Sequence, residues 1–171
     1  MCNISVIGGS KADKKYLGIA YETGRLLAKR KATVICGGLT GVMESVARGV
    51  REGGGICVGI LPGYDLSQGN RYLTVAIPTG LGLARNFLVV RAGESVIAID
   101  GSTGTRTEAY FALSEKKTVI TIGTSGLEKL KDTDGNLIAV DTPEEAVEQA
   151  ISEASSYRKR SINPSDFLSE L

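Results

Sequence analysis

Thr33–Ala47 reads TVICGGLTGVMESVA. A short run of β-branched and apolar residues, Thr33 to Cys36, meets glycine at 37, 38 and 41. Met43, Val46 and Ala47, with Val50 beyond, then follow at helical spacing. The period changes from two to 3.6 across a glycine break, which is how a strand feeding a helix reads. The same grammar recurs upstream, where Ile4–Ile7 ends in Gly8, Gly9 and Ser10, and downstream, where Ser95–Ile99 ends in Gly101 to Thr105. Ile56–Ile60, Tyr72–Ala76 and Thr118–Ile122 are further strand-like runs. Strands alternating with helical stretches predict parallel βαβ units. The expected fold is α/β, a Rossmann-like three-layer sandwich with a mostly parallel central sheet.

Around that core the helices are readable from their apolar faces. Tyr16, Ile19, Ala20, Thr23 and Leu27 share one face of the first helix. Leu81 to Val90 forms an apolar helix that offers a contact face for a second subunit. The last helix opens with Thr142 as N-cap, Pro143 in the first helical position and Glu145 completing a capping box, with Ala146, Val147, Ala150, Ile151 and Ala154 facing inward. Asp132–Asn136 reads as a turn joining two short strands. A single nucleotide-binding domain is expected over residues 1–155, followed by a polar tail over 156–171.

Composition narrows the function. The chain has 171 residues, 42% of them hydrophobic and 23% charged, with a net charge of +1, which describes a globular protein and gives nucleic-acid binding no support. No apolar run approaches the roughly 20 residues a membrane span needs, and no signal segment is evident, so a cytoplasmic protein is expected. Cys2, Cys36 and Cys57 have no metal-ligand spacing and read as reduced, mostly buried thiols. There is no histidine. A Ser-His-Asp triad, a His-ligated zinc site and imidazole acid–base catalysis are therefore excluded, and no metal site is expected.

In an open parallel sheet, ligands sit beyond the carboxyl ends of the strands, where the next helix offers N–H groups and a partial positive charge to an anion. Three turns meet that requirement: Gly8, Gly9 and Ser10; Gly37, Gly38, Thr40 and Gly41; and Gly101, Ser102, Thr103, Gly104 and Thr105. Glycine lets backbone approach a phosphate, and Ser or Thr adds hydroxyl donors. Tight strand-to-helix packing selects glycine as well. The spacing matches neither the dinucleotide fingerprint nor the P-loop, so a nucleotide-type phosphate ligand is expected without hydride transfer or ATP hydrolysis.

Two of these segments resemble a known family. TVICGGLTGVMESVA is similar to the GGGxxGLMG segment of the LOG (Lonely Guy) family, once labelled lysine decarboxylases, and DGSTGTRTE at Asp100–Glu108 is similar to its PGGxGTxxE signature. GLARN at Gly82–Asn86 stands where that family has a short Arg-Lys element, and CVGILP at Cys57–Pro62 agrees in place. IPTGLGLARN, Ile77–Asn86, with ILPG at Ile60–Gly63, looks closest to the branch that includes molybdenum cofactor carriers. The resemblance implies a Rossmann-like fold, a homo-oligomer (dimer or tetramer), no metal or redox cofactor, and hydrolysis of the bond between base and ribose in a nucleoside 5'-monophosphate. For the carrier branch it implies binding of a phosphorylated pterin such as molybdenum cofactor, as a carrier or sensor.

Carried over by position, Arg85 and Glu108 match the family's catalytic residues and Gly101 to Thr105 its phosphate loop. The plain alternatives are a first-turn carboxylate for Glu108 and a surface ion pair for Arg85. Glu108 lies three residues after Thr105, so carboxylate and hydroxyl would share one helix face. Cys36, Glu44, Asn86, Asp100 and Ser102 depart from the enzyme pattern. The decarboxylase label fails, because pyridoxal-phosphate enzymes commonly set their Schiff-base lysine beside a histidine that this chain lacks. A more distant resemblance to DNA-processing proteins is offset by near-neutral charge and the absence of Trp.

Overall fold

The computed structural model describes residues 1–101, 103–123 and 134–161, with the side chains of 160 and 161 excepted. Seven strands form one sheet: β1 (Asn3–Gly8), β2 (Thr33–Cys36), β3 (Ile56–Leu61), β4 (Val75–Pro78), β5 (Ser95–Ile99), β6 (Thr118–Ile122) and β7 (Asn136–Val140). Their order is β4-β3-β2-β1-β5-β6-β7. Every pairing is parallel, so the expected mostly parallel sheet is parallel throughout. The helices are α1 (Lys14–Lys29), α2 (Val42–Glu52), α3 (Arg85–Ala92), α4 (Thr103–Ser114) and α5 (Pro143–Ser161).

Alternation along the strands sorts the helices into two outer layers. Ile4 and Val6 of β1, Val34 and Cys36 of β2 and Ile97 and Ile99 of β5 point to the side where α1, α2 and α5 pack. Ile7, Ile35, Val96 and Ala98 point to the other side, against Val89 and Val90 of α3 and Ala109, Ala112 and Leu113 of α4. The strand order reverses between β1 and β5. Chains leaving those two strands diverge to opposite faces and leave a crevice at their carboxyl ends, where open α/β sheets hold ligands.

Local signals match where their partners are near in sequence. Thr142 and Glu145 make the reciprocal capping box: the Glu145 N–H donates to Thr142 Oγ1 (3.2 Å) and Glu145 Oε2 accepts from the Thr142 N–H (3.3 Å). Three elements differ from expectation. The helix expected over Leu81–Val90 is a 3-10 turn at Gly82–Ala84 followed by α3 from Arg85 to Ala92. The fourth strand begins at Val75 instead of Tyr72, because Asn70 draws the chain into a turn. Its Nδ2 donates to the carbonyls of Gly38 (3.1 Å) and Leu39 (2.9 Å), and its Oδ1 accepts from the Tyr72 N–H (3.1 Å). Helix α5 continues past Ser155 to Ser161, tied down by Arg158, whose Nε donates to Glu94 Oε1 (2.9 Å). The expected turn at Asp132–Asn136 lies partly outside the described residues; Asn136 opens β7. Among the described residues no helix is long and apolar enough to cross a membrane.

Candidate functional site

The crevice between β1 and β5 contains a cavity of about 180 Å³. Gly8, Gly9 and Ser10 line it from the end of β1, Gly37 from the end of β2, Arg85 and Asn86 from the start of α3, and Gly104, Thr105 and Glu108 from the first turns of α4. All three glycine turns therefore approach one place, but not with all their residues. Gly38, Thr40, Gly41, Gly101 and Thr103 are outside the lining. Ser102 lies outside the described residues.

The turns divide their labour. Gly41 has φ 68°, and a Cβ there would come within 2.4 Å of the Gly9 carbonyl oxygen. The first two turns thus touch backbone to backbone, held by the Val42 N–H on Gly9 O (3.0 Å) and by Thr40 Oγ1 on Ser10 O (3.2 Å). Gly37 serves a side chain: a Cβ would stand 2.5 and 2.6 Å from the two terminal nitrogens of Arg85. The space its hydrogen leaves is filled by the guanidinium. At the third turn Asp100 has φ 60°, a left-handed conformation uncommon outside glycine, and its Oδ1 accepts the Gly101 N–H (2.7 Å). That N–H, expected to face a phosphate, is engaged by a carboxylate.

Arg85 and Glu108 are both buried, 6% and 9% exposed. Two charged side chains so deeply placed would ordinarily be paired. Among the described residues they form no ion pair with each other, and Arg85 Nε is buried without a hydrogen-bond partner. Burial raises the Glu108 carboxyl to a pKa of about 7, and the nearby Arg85 charge opposes that rise. Burial likewise pulls Arg85 below its ordinary value, with Glu108 and Cys36 opposing. Such an arrangement can hold a proton near neutrality on Glu108 and present a fixed cation to a polar ligand.

The apolar side of the cavity is Leu39, which lies within the second glycine turn, together with Met43 and the 84% exposed Leu83 at its rim, to which sequence reasoning gave no ligand role. Leu83 lies within the quoted GLARN element, so its place was available; Met43 was read as core. Among the described residues no group of three or more acidic or thiol side chains could hold a metal ion.

A profile of the SLOG cluster4 family matches residues 1–147. The chain belongs to that family. An uncharacterized protein of Archaeoglobus fulgidus is 37% identical over 153 residues, 89% of this chain and 96% of the relative. The molybdenum cofactor binding protein of the phototrophic bacterium Rippkaea orientalis is 31% identical, with a TM-score of 0.83 over 88% of this chain and 96% of that one. A probable cytokinin riboside 5'-monophosphate phosphoribohydrolase of rice, Oryza sativa, is 31% identical over 110 residues, 61% of this chain. The match spans 48% of the rice protein. The SLOG cluster4 chain therefore has relatives of both kinds expected from its motifs, LOG-type and molybdenum cofactor binding.

Proposed function

We propose that the chain binds a nucleoside 5'-monophosphate across the β1–β5 crevice and hydrolyses the bond between base and ribose. The observation that carries this reading is the buried pair of Arg85, with an unpartnered Nε, and Glu108, with a pKa of about 7, on one cavity. Its volume of about 180 Å³ is below the roughly 300–1,000 Å³ that encloses a whole drug-sized ligand. It suits the sugar, with base and phosphate extending past the rim. A carboxylate beside the anomeric carbon stabilises the oxocarbenium-like transition state and removes a proton from the attacking water. The water oxygen bonds to the anomeric carbon, the bond to the base nitrogen breaks with its electron pair leaving on the base, and the base takes up a proton. Arg85 orients Glu108 or a ribose hydroxyl, and N–H groups at Gly9, Ser10 and the start of α4 receive the phosphate.

Base release from a panel of nucleoside 5'-monophosphates, followed by chromatography, tests this. The expected result is release by the wild type and a loss of about 100-fold or more in Glu108→Ala. Turnover that survives Glu108→Ala, or no turnover of any nucleotide, overturns it.

A second reading, a non-enzymatic carrier or sensor of a phosphorylated pterin such as molybdenum cofactor, is favoured by the likeness to the Rippkaea protein over 96% of its length. The engagement of the Gly101 N–H by Asp100 also favours it, since this departs from an open phosphate loop. It predicts a ligand-induced thermal shift without turnover, kept in Glu108→Ala and lost when a bulky residue replaces Gly104.

A further inference from the structure

A second cavity, about 650 Å³, lies at the opposite end of the strands. Cys2, which lines it, precedes β1, and Lys31, also in its lining, precedes β2, so it opens at the amino ends of the strands. The six residues of β1 separate it from Gly8 by about 20 Å. Half-buried Cys2 and Ile151 form its apolar floor, the exposed Met1 and Ser155 stand at its margin, and its rim carries Arg30, Lys31, Arg158 and Lys159. Two of the four cations are paired: Arg30 Nη1 with Glu148 Oε1 at 2.6 Å, and Arg158 Nε with Glu94 Oε1 at 2.9 Å. Lys31 and Lys159 are exposed and have no side-chain partner among the described residues. The rim thus concentrates unpaired positive charge in a chain whose net charge is only +1.

We propose that this groove binds a small amphipathic organic anion, an apolar chain or ring bearing one carboxylate, sulfonate or phosphate group. The floor gains by covering apolar surface and the rim by meeting the anionic head. An inorganic anion leaves the floor wet, and a neutral chain leaves the lysines without a counter-charge. The volume falls within the roughly 300–1,000 Å³ of sites that enclose small ligands.

Cys36 and Cys57 are fully buried while Cys2 is half-buried in the groove, so maleimide labelling of the folded protein reports on Cys2. Decanoate is the probe, with decanol and acetate as the chain-only and charge-only controls. Decanoate binds saturably and slows Cys2 labelling; decanol and acetate do neither. Lys31→Glu combined with Lys159→Glu, both at exposed positions, weakens decanoate binding by about tenfold with an unchanged melting temperature. Glu108→Ala leaves the protection intact, which separates this site from the β1–β5 crevice. Equal protection by decanol, unchanged affinity after the double charge reversal, or no protection by decanoate overturns the proposal.

Discussion

The two ends of α3 carry the two most deeply buried cations among the described residues, and they are handled in opposite ways. At its carboxyl end Lys117, 1% exposed, donates from Nζ to the carbonyls of Val90 (2.9 Å), Arg91 (2.8 Å) and Gly93 (2.6 Å). All three ammonium hydrogens meet otherwise orphaned helix-end oxygens, and the Tyr157 ring lies 5.5 Å away. Burial pushes its pKa down to about 8, so it remains an ammonium at neutral pH. At the amino end Arg85 has an Nε without a partner and faces a cavity. It also sits at the positive end of the helix dipole, where a cation is disfavoured. A buried charge whose donors are all satisfied is explained by the fold. One left unsatisfied against the local field costs stability that no contact within the described residues offsets, and the proposed site rests on this contrast.

The largest expected effect breaks this contrast directly. Lys117→Met removes the cap and strands buried carbonyls, costing about 3 kcal/mol in urea unfolding. Arg85→Met replaces an unpaired buried charge with an apolar chain of similar length, so stability stays level or rises by about 1 kcal/mol while ligand binding or turnover collapses. If both substitutions destabilise equally, Arg85 is a structural residue and the distinction between the two ends fails.

The next effect uses Glu108 as the reporter. Its pKa rises from 4.5 to about 7 on folding. Between those values the folded chain holds a proton that the unfolded chain has lost, so stability falls as pH rises through this window and is fullest below it. At 1.36 kcal/mol per pKa unit the swing is at most about 3 kcal/mol. Unfolding midpoints at the two ends of the window should separate in the wild type and converge in Glu108→Gln. In Arg85→Met the Glu108 transition should move to higher pH, because the Arg85 charge is what holds it down. Parallel pH profiles for wild type and Glu108→Gln would show that Glu108 titrates as it does in the unfolded chain.

The strand runs, the helix faces and the capping box at Thr142 are legible because each is written in residues close in sequence, whereas a pairing such as Ile4 with Ser95 joins residues far apart. The start of β4 was not, since Asn70 reaches back to Gly38 and Leu39, and neither was the full length of α5, which depends on Glu94. The resemblance drew attention to Arg85 and Glu108, but no local pattern shows that both would be buried without an ion pair. That follows only once α3 and α4 pack on the same face of the sheet. Lys117 left no signal: a lysine before a strand reads as a solvated flank until α3 delivers its carbonyls to it.

Gly37 gives the smallest and most discriminating test. Its glycine was read as allowing close approach of a phosphate, whereas the structure fills that space with the Arg85 guanidinium. A methyl group at 37 would meet Arg85 Nη1 at 2.5 Å and Met43 Sδ at 2.6 Å, both ends of flexible side chains. Gly37 is not among the positive-φ glycines, so Gly37→Ala introduces no left-handed strain. The two side chains can shift, and stability should change by less than about 1 kcal/mol. A shift of the guanidinium toward the cavity alters the geometry any ligand meets, so binding or turnover should fall by about tenfold. Gly37→Ala in an Arg85→Met background should then add little, because the group it displaces is gone. If the two losses instead multiply, Gly37 acts on the ligand directly, as backbone beside a phosphate, and its place in the site is the one first read from TVICGG.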